Sequence, residues 1–118
     1  KRTNSYFTIV YALLIQIVFL LFSGETISAC FTGPQKSLQI DCGSGYMLRI
    51  KHTFYGYSYT NSCYFRPGDC TQVEHKPYPC TGRNSCTIDL PGGQWGKKIS
   101  NCDKDSNYFQ VEYSCEPG

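Results

Sequence analysis

Eight cysteines, at positions 30, 42, 63, 70, 80, 86, 102 and 115, follow the apolar N-terminus of this 118-residue chain, and none precedes position 30. That density marks a disulfide scaffold from an oxidising compartment. A chain of this length buries too little apolar surface to be comfortably stable alone, so bridges are expected to supplement its core. Zinc fits the same cysteines poorly. No Cys-x2-Cys pair occurs, the later spacings are Cys-x6-Cys, Cys-x9-Cys and Cys-x5-Cys, and the only histidines are His52 and His75. No metal and no cofactor is expected.

The N-terminus reads as a leader. Lys1 and Arg2 precede the apolar run YFTIVYALLIQIVFLLF at 6–22, and small and polar residues, GETISA, follow shortly after it. A positive start, an apolar stretch and a small-residue region are the parts of a secretory signal peptide. Cleavage near Ala29 divides the chain into a leader, 1–29, and one secreted or extracellular domain, 30–118. An uncleaved signal anchor is the alternative, since a run of about 17 residues is at the short end of what spans a bilayer. With the leader cleaved, no membrane attachment is expected of the mature form.

Charge excludes one class of partner. From Cys30 onward, nine Lys and Arg face eight Asp and Glu, and the only adjacent basic pair is Lys97-Lys98. No basic stretch is long enough to serve as an electrostatic footprint for nucleic acid. Enzymatic function is not expected either: a Ser or Cys nucleophile needs a positioned base, neither histidine lies in a recognisable catalytic motif, and no glycine-rich phosphate loop is present.

Hydrophobic alternation, not helical periodicity, organises the domain. SLQIDC (37–42) sets Leu38, Ile40 and Cys42 against Ser37, Gln39 and Asp41. GYMLRIKHTF (45–54) puts Leu48, Ile50, His52 and Phe54 on one face, and NYFQVEYSC (107–115) puts Phe109, Val111, Tyr113 and Cys115 opposite Tyr108, Gln110 and Glu112. In TFYGYSYTNSC (53–63), alternation sends Phe54 one way and Tyr55, Tyr57 and Tyr59 the other, with Gly56 where strand gives way to loop. Turn-rich segments separate the runs: FRPGDC (65–70), HKPYPC (75–80), LPGGQWG (90–96) and NCDKDSN (101–107). The expected class is a small disulfide-rich, β-dominated α/β domain of antiparallel strands with long loops.

Ordered landmarks sharpen that class. LQIDC, Tyr55-Gly56, CTGRNSCTI (80–88), Asn101-Cys102 and the closing NYFQVEYSC together resemble the lectin domain of the sea-urchin-egg-lectin (SUEL) type, also called galactose- or rhamnose-binding, over Cys30 to Cys115. Spacing alone leaves 105 pairings of eight cysteines open. The resemblance implies Cys30 with Cys63, Cys42 with Cys115, Cys70 with Cys102 and Cys80 with Cys86.

The resemblance also implies a sugar site. Members that bind rhamnose or galactose surround it with Tyr-Gly-Arg, Asp-Pro-Cys and Lys-Tyr-Leu motifs and a glutamate after the first cysteine. Here these positions hold Tyr55-Gly56-Tyr57, Ser100-Asn101-Cys102, Asn107-Tyr108-Phe109 and Phe31. The skeleton is kept and most charged heads are replaced by neutral groups. Tyr55, Gly56, Tyr57, Ser100, Asn101, Asn107 and Tyr108 are therefore the candidate ligand-binding residues, with Asn and Ser supplying hydrogen bonds and Tyr a flat apolar surface. A glycan, with a galactose- or rhamnose-like monosaccharide as a candidate, is the expected partner. Two other functions fit the same residues: a scaffold adapted to contact a cell-surface protein, and a small secreted disulfide-rich inhibitor or toxin.

Overall fold

The structure, a computed structural model, describes residues 24–90 and 96–118. The apolar run at 6–22 and the turn expected at Pro91-Gly92-Gly93 lie outside the described residues. Eight strands follow in chain order: β1 (Glu25–Cys30), β2 (Ser37–Asp41), β3 (Tyr46–Tyr57), β4 (Cys70–Val73), β5 (Ser85–Asp89), β6 (Lys98–Ile99), β7 (Lys104–Asp105) and β8 (Tyr108–Pro117).

These strands form three antiparallel sheets. The largest has the order β1-β8-β3-β4, so the first and last strands lie side by side; β2 pairs with β5, and β6 with β7. The alternating runs at 37–42, 45–54 and 107–115 became β2, β3 and β8, as half-buried strand patterns should. Among the described residues there is no helix, so the α component of the expected class has no counterpart here. Pro77 and Pro79 interrupt the segment between Cys70 and Cys80, and the other connections are turns with no 3.6-residue apolar period to nucleate a helix. The 101–107 segment, expected to be turn, contains β7, which pairs with β6 in a hairpin.

The core lies between one face of the large sheet and the β2–β5 ribbon. Leu48, Tyr55, Phe109, Val111 and Ala29 from the sheet meet Leu38, Ile40, Ile88 and Leu90 from the ribbon, and Phe31 and Ile99 belong to the same cluster. Alternation alone misassigns one strand of this core. The register of β3 on β8 shifts between Ile50, opposite Tyr113, and His52, opposite Glu112, leaving Lys51 as an extra residue. A bulge of this kind reverses which side chains point inward. Leu48 and Ile50 keep the core face, but Thr53 and Tyr55 join them, whereas His52 and Phe54 turn to the outer face.

The outer face is partly covered by the 58–69 loop. Cys63 is bridged to Cys30 on β1, Phe65 packs edge-on against Phe54 with ring centroids 6.1 Å apart, and the Phe65 N–H donates to Gln110 Oε1 at 2.7 Å. Under this loop Tyr108 and Gln110 are buried although they face away from the core. The loop closes on a turn at Arg66-Pro67-Gly68-Asp69, in which Gly68 takes a φ of 99°, a value suited to glycine.

All eight cysteines are bridged: Cys30–Cys63, Cys42–Cys115, Cys70–Cys102 and Cys80–Cys86. This is the pairing that the resemblance implies. Cys42–Cys115 spans 73 residues of sequence and ties the end of β2 to β8, a loop whose closure is worth about 4 kcal/mol in the chain-entropy account. Cys70–Cys102 ties edge strand β4 to the turn before β7, which draws the 100–104 segment beside the end of β3.

Strand β1 begins five residues before the domain boundary expected at Cys30. Glu25 pairs with Tyr113 and Ala29 with Phe109; Ala29 is buried and Ile27 packs on the core. Residues 25–29, read from sequence as the end of the leader, are thus an edge strand of the main sheet.

Candidate functional site

The seven candidate residues converge on one end of the large sheet, but they divide sharply in what they leave accessible. Tyr55 ends buried in the core, with the Lys97 ammonium 5.7 Å from its ring centroid. Gly56 and Tyr108 form a cross-strand pair, and both are buried. A Cβ on Gly56 would stand 2.5 Å from the Tyr108 hydroxyl oxygen, so glycine is required there for space. The Tyr108 hydroxyl donates to Asp69 Oδ2 at 3.0 Å, and the same oxygen accepts the Arg66 N–H. Burial first, and then the Asp69 carboxylate, push the Tyr108 phenol well above its usual range. The three residues fix the strand end and the 58–69 loop; none offers a surface to a ligand.

Asn107 is also committed to the fold. Its Oδ1 accepts from the Ser58 N–H at 2.8 Å and its Nδ2 donates to the Ser58 carbonyl at 3.0 Å, so the carboxamide extends β-type pairing past the end of β3. Its backbone N–H reaches the Gly56 carbonyl, and its carbonyl accepts from Phe31. This one residue, through its side chain and its backbone, thus joins three segments of chain. It is not free to grip a sugar with both polar groups.

Tyr57, Ser100 and Asn101 remain. Tyr57, half-buried, lies opposite Cys70 at the end of β3, and the Cys70–Cys102 bridge brings the exposed Ser100 and Asn101 to the adjoining edge. Ser100 anchors that edge by donating from both its N–H and Oγ to Gln72 Oε1, at 3.1 and 3.3 Å. Beyond Tyr57 the chain turns, and Tyr59 packs edge-to-face on it, with centroids 4.9 Å apart and planes at 87°. Tyr59 is 63% exposed. Lys104 holds its ammonium 5.5 Å from the Tyr57 centroid.

Two perpendicular phenol rings with a cation beside one of them make an aromatic corner. Tyr59 and Lys104 are functional candidates that sequence reasoning missed. Tyr59 had a partial signal in its Tyr-x-Tyr spacing from Tyr57, though strand pairing stops at Tyr57. Lys104 had none, because only the Cys70–Cys102 bridge and the β6–β7 hairpin bring it there.

Two other concavities lie elsewhere. On the outer face, beside the 58–69 loop, a cleft of ≈ 260 Å³ is lined by His52, Phe54, Phe65, Thr71, Val73 and Glu112, with Phe65 43% and Val73 52% exposed. At the opposite end of β3, near Cys42–Cys115, a shallow hollow of ≈ 530 Å³ is framed by Gly43, Gly45, Tyr46, Met47 and Asn84. Asn84 Nδ2 there donates to the carbonyls of Gly43 and Tyr46 and so serves the turn.

Among the described residues no group of three His, Cys, Asp or Glu side chains is arranged to hold a metal ion. Fold and bridges together define a small, antiparallel, four-disulfide β domain with an exposed aromatic corner at one end of its main sheet. No family model, curated protein or solved structure matches the chain.

Proposed function

We propose that the protein is a secreted, carbohydrate-binding domain of the SUEL lectin type whose site is the corner of Tyr57 and Tyr59. The observation that carries this reading is the accessible edge-to-face pair itself. A pyranose presents an apolar face of C–H groups, and an exposed phenol ring held rigid by a second one covers such a face at little entropic cost. Asn101 and Ser100 supply neutral donors and acceptors at the adjoining edge. The four bridges support the same reading, since their pairing is the one that the lectin resemblance implies. Disulfide density supports an extracellular setting.

Relative to the seven residues expected from sequence, the proposed contact set is narrower at one end and wider at the other. Tyr57, Ser100 and Asn101 stay in it, Tyr59 and Lys104 enter it, and Tyr55, Gly56, Asn107 and Tyr108 form the frame behind it. A glycan array probed with the folded protein tests the reading: binding that is lost in Tyr59→Ala, with thermal stability unchanged, supports it, and silence across the array from a correctly bridged protein contradicts it.

The outer cleft favours a second reading, contact with another protein. Exposed Phe65 and Val73 flanking Glu112 and His52 form a mixed apolar and polar surface of the kind found in interface centres. In that case Phe65→Ala, rather than Tyr59→Ala, would abolish the interaction.

A further inference from the structure

We infer that the aromatic corner selects acidic saccharides, those carrying a carboxylate or sulfate, over their neutral counterparts, and that Lys104 reads the charge; this rests on the glycan reading of the corner. Neighbouring charges are already neutralised or directed elsewhere. Asp103 is paired with Lys98 at 2.8 Å, and Glu74 with Lys97 at 2.8 Å. Asp69 accepts from the Tyr108 hydroxyl and the Arg66 N–H. Asp105 follows Lys104 on β7 and is directed to the other face of that hairpin, across from Lys98. Lys104 itself has no carboxylate within ion-pair distance among the described residues. The net unopposed charge facing Tyr57 is therefore positive.

Ser100 and Asn101, exposed at the adjoining edge, are neutral and add no negative charge to it. A pyranose seated on Tyr59 would bring an acidic substituent within reach of the Lys104 ammonium, whose position over Tyr57 is favoured by the ring's negative face. An exposed ion pair of this kind is worth up to about 1 kcal/mol, or roughly a fivefold gain in affinity, and is screened by salt.

The test is an NMR titration of the full protein with two matched pairs, methyl glucoside against methyl glucuronide and methyl galactoside against methyl galacturonide. The expected result is about two- to fivefold tighter binding of the acidic member in at least one pair, with the gap closing in about 0.5 M salt. Lys104→Gln should close the gap by weakening binding of the acidic member more than that of the neutral one, and Lys104→Arg should keep it. Equal affinities within both pairs, or a gap that survives Lys104→Gln, overturns the charge preference and leaves the glycan reading standing. Binding of neither member of either pair, by a protein whose spectrum shows it folded, counts against the glycan reading itself.

Discussion

The ring of Tyr108 lies against the α-carbon of Gly56 across the β3–β8 ladder, so closely that a methyl group at position 56 would sit 2.5 Å from the phenol oxygen and 2.6 Å from the ring carbon that bears it. Tyr108 is thereby buried on the face of the sheet away from the core, where its hydroxyl holds Asp69 and with it the 58–69 loop. The loop that carries Tyr59 is positioned by this contact. Gly56→Ala is expected to cost about 1–3 kcal/mol through overpacking, and Tyr108→Phe about 1.5–3 kcal/mol through loss of a hydrogen bond to a carboxylate. Combining Gly56→Ala with Tyr108→Leu should cost less than the sum of the two single changes, because the clash disappears with the ring. Denaturant midpoints of Gly56→Ala, Tyr108→Phe, Tyr108→Leu and the double variant check this.

Strand β1 gives a prediction about the domain boundary. A chain that starts at Cys30 lacks five of the residues that pair with β8, including buried Ala29 and core-packed Ile27. Compared with a chain starting at Gly24, it should be less stable by roughly 3 kcal/mol, from lost apolar burial and ladder hydrogen bonds. Thermal melts of the two versions decide the matter; equal melting temperatures would show that β1 contributes nothing.

Glu74 sets part of the acid limit of stability. Burial pushes its carboxyl upward, but the hydrogen bond from Lys97, the Lys76 N–H and the charges of both lysines outweigh burial and hold it below the ordinary value of 4.5. A carboxyl lowered on folding contributes stability that is fully present above its unfolded value and is lost as pH falls through the folded one. The native protein should therefore lose stability as pH drops below about 4.5. Glu74→Gln should flatten that limb, and Lys97→Met should destabilise at neutral pH, by leaving a buried carboxylate without its cation. Melts from pH 7 downward test both.

The Tyr78 hydroxyl is buried with no hydrogen-bond partner among the described residues, and burial together with the Glu74 charge pushes its phenol up to about 12. Its ring packs on Phe109 at 6.3 Å. Tyr78→Phe keeps that contact and removes an unsatisfied polar group, so stability should change by less than about 1 kcal/mol, in the stabilising direction. A loss of more than that would reveal a partner for the hydroxyl.

How much of this was legible in the sequence follows from which residues carry it. The alternation of Leu38 and Ile40, and of Phe109, Val111 and Tyr113, gave two strands and their core faces directly, since a period of two has one structural meaning. The single bulge at Lys51 defeated the same rule in β3 and moved His52 and Phe54 outward, because nothing local distinguishes a bulged lysine from a paired one. Residues 25–29 admit two readings in sequence, since small and polar residues after an apolar run suit a cleavage region and an edge strand alike. At the candidate site, residue types were legible and roles were not. Asn107 looked like a ligand group, but its amide is matched to the Ser58 backbone, a pairing set by three-dimensional proximity. Lys104 reaches Tyr57 through a disulfide and a hairpin.

Chemical-shift mapping of the folded protein with the glycan that binds it best locates the site directly. The largest shifts are expected on Tyr57, Tyr59, Ser100, Asn101 and Lys104, and Tyr59→Ala should abolish them while the spectrum stays dispersed. Shifts centred instead on His52, Phe65 and Val73, untouched by Tyr59→Ala, would contradict that placement.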